Sequence, residues 1–275
     1  ILFVLRISMK VSMKIYVISL ENYRDRQKFQ HEQAMAFGLD IEIVSAIDAN
    51  SISEKKLQDA ANNWSRPINA KDVACFLSHK KTWEIIHDKG ERALIIEDDI
   101  VFNQQIVEVL NHISLNTTKM GEIYDLEYVP RKHILAKFPK WESDTSKISA
   151  TKIYQNKNGL GCYCLDHIAA SKLLKEQVNY AMVDAYVWTR KWANYLQIEP
   201  APAIQMIYLN GDSTTDQLHK QSNTQLYMNQ SKLSAKYISI KKLLISLEQV
   251  LRGFYFGKSR HIKYESKSFN KKYYN

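Results

Sequence analysis

Three consecutive carboxylates, Glu97, Asp98 and Asp99, interrupt the stretch RALIIEDDIVF at residues 92–102. The residues leading into them, Ala93 to Ile96, form the continuous apolar run of a buried strand. Burying three charges without partners is prohibitively costly, so the sequence demands a positive group at that corner. A divalent ion, Mn²⁺ or Mg²⁺, satisfies the demand, because such ions take oxygen donors and bridge phosphate oxygens. An acidic strand end paired with local Lys or Arg satisfies it too. On a strand running through the triplet, alternation places Glu97 and Asp99 on one side and Asp98 on the other.

Other residues could share the chemistry. Asn22, Arg24 and Arg26, in ENYRDR, follow the first apolar run, where a guanidinium could meet a nucleotide or simply start a solvated helix. His79 lies on a helical stripe with Phe76 and Trp83, a position that suits a satisfied core histidine as well as a ligand. Gly159 and Gly161 permit either a turn or a close backbone approach to a ligand. Neither G-x-x-x-x-G-K-[ST] nor a G-x-G-x-x-G after the first strand is present, which removes the simplest routes to a P-loop ATPase or a dinucleotide oxidoreductase.

The positioning elements are strands alternating with helices over the first 115 residues. KIYVISL (14–20) and IEIVSAID (41–48) read as strands. RDRQKFQHEQAMAFGL reads as a helix stopping near Gly38, SEKKLQDAANNW as a short polar helix, and AKDVACFLSHKKTWEIIHDKG as a helix ending at Gly90. A further helix passes through Val107 and Leu110. Residues 128–150 lack a clear period and read as loops or an inserted lid. TKIYQNKNGLGCYCLD reads as a hairpin or paired strands, His167 to Gln177 as a helix, and MVDAYVWTRKWANYL as a further helix or helix start. The alternation predicts an open mixed α/β sheet flanked by helices.

In order along the chain, ISLENYRDR, DVACFLSHKKTWE, ALIIEDD, NGLGCYCLDHIAASKLL, MVDAYVW and PAPAIQ resemble glycosyltransferase family 25, over roughly residues 13–215. That family contains the lipooligosaccharide-type β-galactosyltransferases and relatives acting on collagen hydroxylysine. The resemblance implies a GT-A-like fold, a UDP-sugar donor such as UDP-galactose, a Mn²⁺-type ion and inversion at the anomeric carbon. It sets the EDD triplet in place of a D-x-D motif, with Glu97 and Asp99 as metal ligands and Asp98 in the donor site. Further donor-binding positions follow from it: Ser19, Leu20, Asn22, Arg24, Asp48, His79, Gly159, Gly161 and Gln205. By the same resemblance, Asp212 is expected to border the pocket and His219 to be a third metal ligand. An inverting displacement needs a base on the acceptor hydroxyl; Asp184 in MVDAYVW matches that position, although an acidic residue there also suits a helix N-cap.

Composition sets the frame for these residues. The 275-residue chain is 45% hydrophobic and 24% charged, which is ordinary for a globular protein, and nets +9. Residues 232–275 hold eleven Lys or Arg against two Glu, which accounts for the whole excess. There Ile240, Leu243, Leu244, Leu247, Val250, Leu251 and Phe254 make one helical stripe, with Lys241, Lys242 and Arg252 off it. This division predicts a neutral catalytic domain (13–231), a basic amphipathic tail (232–275) and twelve leading residues outside the fold. The tail suits docking on an anionic membrane, or a helix packed on the body with a solvated basic end. No nucleic-acid module is recognised. Cys75, Cys162 and Cys164 read as reduced residues of a cytoplasmic protein, here one peripheral to the inner face of a bacterial inner membrane and acting on lipooligosaccharide. Two rival readings use the same features: a metal-dependent nucleotidyltransferase or phosphohydrolase, and a non-catalytic membrane-surface adaptor.

Overall fold

The computed structural model describes residues 13–60, 68–116, 120–144, 146–156, 159–176, 182–209, 247, 251 and 253–269. The expectations for residues 1–12, for Asp212 and His219, and for most of 232–256 lie outside the described residues.

Three parallel strands build one end of a large mixed sheet: β1 (Lys14–Ser19), β2 (Ile41–Ser45) and β3 (Arg92–Glu97), with β1 in the middle. The sheet continues from β3 through β10 (Cys162–Asp166), β5 (Glu122–Asp125), β11 (Asn194–Glu199), β9 (Ser149–Gln155) and β7 (Lys132–Ala136) to β13 (Gly257–His261). Strand β8 (Trp141–Glu142) pairs with β9, which makes ten strands among the described residues. A second, three-stranded sheet joins β4 (Ile100–Phe102), β12 (Ala203–Gln205) and β6 (Glu127–Tyr128).

Strand alternation sorts the core into two layers. Tyr16, Ile18, Ala93 and Ile95 face helix α3 (Ala70–Lys89), which packs beside α5 (His167–Lys175) and the short α6 (Val183–Val187). Ile15, Val17, Leu94 and Ile96 face the opposite way, toward Ile106, Val109, Leu110 and Ile113 of α4 (Ile106–Asn116). Leu94, Ile95 and Ile96 are fully buried, and burial stabilises each by about 1.5–3 kcal/mol. That anchoring fixes the end of β3, and with it the carboxylates.

Helix α1 (Arg24–Phe37) stops at Gly38, whose φ of 65° is the left-handed conformation that a glycine C-cap supplies. Helix α3 begins with a complete capping box between Asn69 and Asp72 and ends at Gly90 in the same left-handed way. A short α2 (Glu54–Ala60) occupies the polar helix position.

Four expectations change. The strand through the acidic triplet ends at Glu97; Asp98 and Asp99 form a turn, and Ile100–Phe102 enters the other sheet. Alternation therefore does not govern Asp99. Residues 128–150, expected as loops or a lid, contribute β7, β8 and the start of β9, strands without a clear apolar period. β9 and β10 do not pair with each other, because β5 and β11 lie between them. Beyond α6 the segment read as helical becomes β11.

Part of the segment set apart as a tail is built into the body. β13 pairs antiparallel with β7, Arg260 donates to both carboxylate oxygens of Glu199 at 2.5 Å, and Ile262 and Phe269 are buried. Of the amphipathic stripe, Leu247, Leu251 and Phe254 are exposed. No described helix is long and apolar enough to cross a membrane.

Candidate active site

The acidic turn is held from behind by a polar stripe on α1. Arg26, Gln30 and Gln33, spaced one and two turns apart, are buried where such a helix normally presents aliphatic side chains. Gln30 Nε2 donates to the carbonyls of Asp98 and Ile100, at 3.0 and 2.8 Å. Gln33 accepts from the Phe102 amide at 2.7 Å. These bonds satisfy the backbone where β3 leaves its sheet.

The three carboxylates thereby meet three different fates. Asp98 Oδ1 accepts from Arg26 Nη1 at 2.7 Å, and Asp98 Oδ2 accepts from the Ser19 hydroxyl at 2.7 Å. Burial pushes this carboxyl above its ordinary range, while Arg26 and Ser19 pull it back. Asp98 and Ser19, both expected to hold the donor, are thus bonded to each other, and Asp98 already has its cation. Asp99 does not: its Oδ1 is buried with no hydrogen-bond partner among the described residues. Burial, reinforced by the charge of Glu97, pushes its carboxyl up to about 7. Glu97 is partly exposed and lies 3.4 Å from Nε2 of the buried His79. Its amide donates to the Gly161 carbonyl at 2.9 Å.

This corner sits between two clefts. The larger, about 640 Å³, is lined on one side by Ser19, Leu20, Asn22 and Arg26 and on another by Asp48, Lys71, Cys75 and His79, with the carboxylate triplet at its end. The smaller, about 280 Å³, is lined by Asp72, Gly159, Met182, Asp184 and Gln205. Glu97 and Cys75 line both. Asp184 does not cap α6, since Met182 holds that position; it sits in the first turn, its Oδ1 accepting from the Ala185 amide at 2.6 Å. Arg24 is exposed and absent from both linings, so its neighbour Arg26 is the guanidinium that reaches the site.

The glycines serve packing first. A Cβ on Gly159, at φ +83°, would stand 2.6 Å from Val129 Cγ2, and one on Gly161 would stand 3.0 Å from Gln205 Nε2 and from Ile100 Cδ1. The tight backbone of Gly161 fixes Glu97 through its carbonyl, and its amide donates to Glu127 Oε2 at 2.8 Å.

Glu127 and Asp125 escaped the sequence reading. Both are buried. Burial drives Asp125 up to about 8 and Glu127 well above its usual range, with Glu97 and Asp99 adding to the latter. The available signal was GEIYDLEYV, in which Glu122, Asp125 and Glu127 are interleaved with apolar and aromatic residues. Lys71 likewise escaped, hidden among the polar residues that begin α3.

The donor set fits an oxygen-loving dication. Glu97 and Asp99 offer carboxylate oxygens, and the unpartnered Oδ1 of Asp99 is a buried acceptor that a cation would satisfy. Lys71 in the lining of the larger cleft suits an anionic ligand, beside Arg26, whose charge Asp98 already engages.

Known proteins are similar to part of the chain. A relative from Anopheles gambiae, named a glycosyltransferase 25 family member, is 28% identical over 177 residues, which is 59% of this chain and 28% of that protein. Human procollagen galactosyltransferase 2 is 27% identical over 137 residues, 46% of this chain and 22% of that protein. The chain thus spans less than a third of the length of these curated relatives. The model of glycosyltransferase family 25 (LPS biosynthesis protein) matches residues 12–188, an interval that runs from β1 through the acidic turn to the Asp184 helix. On that match, covering well over half of its length, the chain belongs to glycosyltransferase family 25.

Proposed function

We propose that this chain is an inverting, metal-dependent glycosyltransferase with a GT-A-like catalytic body, moving galactose from UDP-galactose to a terminal sugar of lipooligosaccharide. The observation that carries the reading is the junction of the two clefts at Glu97, with the acidic turn and two cations on one side and Asp184 on the other. Family membership supports sugar transfer. The name of the human relative supports galactose, and the family's description supports a lipopolysaccharide-type acceptor.

In this reading the larger cleft takes the nucleotide, with Arg26 and Lys71 near its phosphates. Glu97 and Asp99 hold Mn²⁺ or Mg²⁺, which when bound supplies Lewis-acid stabilisation of the departing diphosphate. Asp184, in the smaller cleft, accepts the proton of the acceptor hydroxyl, so that attack comes from the face opposite the nucleotide. His79 orients Glu97. Exposed Phe254, Tyr255 and Phe256, followed by Lys258, support docking of the carboxyl-terminal segment on an anionic bilayer at the inner face of the bacterial inner membrane.

The test is a donor screen. UDP release from several UDP-sugars is measured with and without Mn²⁺ in the presence of lipooligosaccharide. Mn²⁺-dependent UDP release with an intact hexose on the acceptor is expected. Release of pyrophosphate or inorganic phosphate without sugar transfer overturns the reading in favour of a nucleotidyltransferase or phosphohydrolase.

A further inference from the structure

The wall shared by the two clefts carries a second donor set, different in kind from the oxygen-only pair of Glu97 and Asp99. Cys75 and His79 stand four residues apart on α3 and so on one face of it. Cys75 Sγ, a ring nitrogen of His79 and a carboxylate oxygen of Glu97 all lie within 4.8 Å of one another. His79 Nε2 and Glu97 Oε1 are 3.4 Å apart, about the edge of a tetrahedron whose metal bonds are roughly 2.0–2.1 Å. Sulfur, imidazole and carboxylate together match zinc rather than manganese or magnesium, which prefer oxygen alone.

The surroundings complete a metal site. Trp83 Nε1 donates to the Tyr163 hydroxyl at 2.7 Å, and that hydroxyl lies 2.9 Å from His79 Nδ1. With an ion bound at Nε2, His79 would carry its proton on Nδ1, directed at the Tyr163 hydroxyl, the kind of outer support that metal-bound histidines use. Cys75 is in no disulfide and lines both clefts, which provides an entry path. Cys162 and Cys164 are fully buried and line neither. Three protein ligands with a fourth position open to a cleft is the coordination of an accessible zinc site.

We infer that Cys75, His79 and Glu97 bind a thiophilic divalent ion, zinc foremost, with release of the thiol proton to solvent. The consequence for turnover rests on the proposed function: zinc held there engages Glu97, removes it from the Glu97–Asp99 pair and inhibits sugar transfer.

Cobalt(II) is the probe, because a cobalt–thiolate bond gives a near-ultraviolet charge-transfer absorption. Titration of the full chain is expected to produce that band, displaced by zinc, absent from Cys75→Ser and requiring at least ten times more cobalt in His79→Asn. Unchanged circular dichroism and unfolding temperature check that the variants fold. Alkylation of Cys75 in the unaltered protein gives a measurement free of substitutions, and zinc is expected to slow it at least tenfold. Absence of the band, its persistence in Cys75→Ser, or alkylation indifferent to zinc overturns the inference. None of these readouts needs a sugar donor, so failure here leaves the transferase reading intact, and failure of the donor screen leaves this site standing.

Discussion

Replacing Asp99 with Asn should stabilise the fold while removing a ligand, and the size of the effect follows from its burial. The Asp99 carboxyl is pushed from an ordinary 3.8 to about 7. The folded protein therefore holds this proton across an interval in which the unfolded chain has lost it. Stability contributed by the group is greatest in acid and falls as pH rises from about 4 through about 7. Three pKa units at 1.36 kcal/mol each set a ceiling of about 4 kcal/mol on the cost of ionised Asp99 above neutral pH. Glu97 shares that cost, because the two carboxylates repel each other. Asn carries no charge, so Asp99→Asn should gain stability over the parent protein at about pH 8, and the gain should vanish near pH 4. Mn²⁺ should recover the loss in the parent and do nothing for the Asp99→Asn variant. Urea denaturation at several pH values, with and without Mn²⁺, measures all three effects. A variant no more stable than the parent at about pH 8, or a difference independent of pH, refutes the reasoning.

Three further outcomes are expected. Arg26→Ala strands the buried Asp98 carboxylate and should cost about 3–5 kcal/mol in urea denaturation; adding Asp98→Asn should return much of it. Gly159→Ala should destabilise more than Gly161→Ala, because it combines a positive φ with a 2.6 Å clash, whereas Gly161 meets side-chain ends at 3.0 Å; thermal unfolding ranks the two, with overpacking of about 1–3 kcal/mol for the milder change. Asp184→Asn should lower kcat by about 10²–10⁴-fold with UDP affinity unchanged, read by steady-state UDP release and by calorimetry.

Long apolar or amphipathic segments were legible in the sequence, and local breaks were not. The run Ala93–Ile96 and the capped helix Ala70–Lys89 carry their own signals, so β3 and α3 stand where the pattern puts them. The turn at Asp98–Asp99 was hidden because Ile100, Val101 and Phe102 are as apolar as a continuing strand; only pairing with β12 shows that they leave the sheet. The burial of Arg26, Gln30 and Gln33 was hidden, since polar side chains at helical spacing usually form a solvated face. Their burial depends on backbone carbonyls some 70 residues away, a contact that no local pattern records. Short strands such as Lys132–Ala136 owe their form to neighbours on either side. At the site, residue types were readable and their partners were not: the triplet marked the corner, while the separation of Asp98, already paired with Arg26, from Asp99, whose buried Oδ1 lacks a partner among the described residues, needed coordinates.

The proposed chemistry depends on Glu97 and Asp99 concentrating negative charge which a dication and a diphosphate neutralise together. Calorimetric titration of UDP into the protein, with and without Mn²⁺, tests it most directly. Binding is expected to require Mn²⁺ and to be lost in both Glu97→Gln and Asp99→Asn. UDP binding of equal strength without the ion, or undiminished in the two variants, would contradict it.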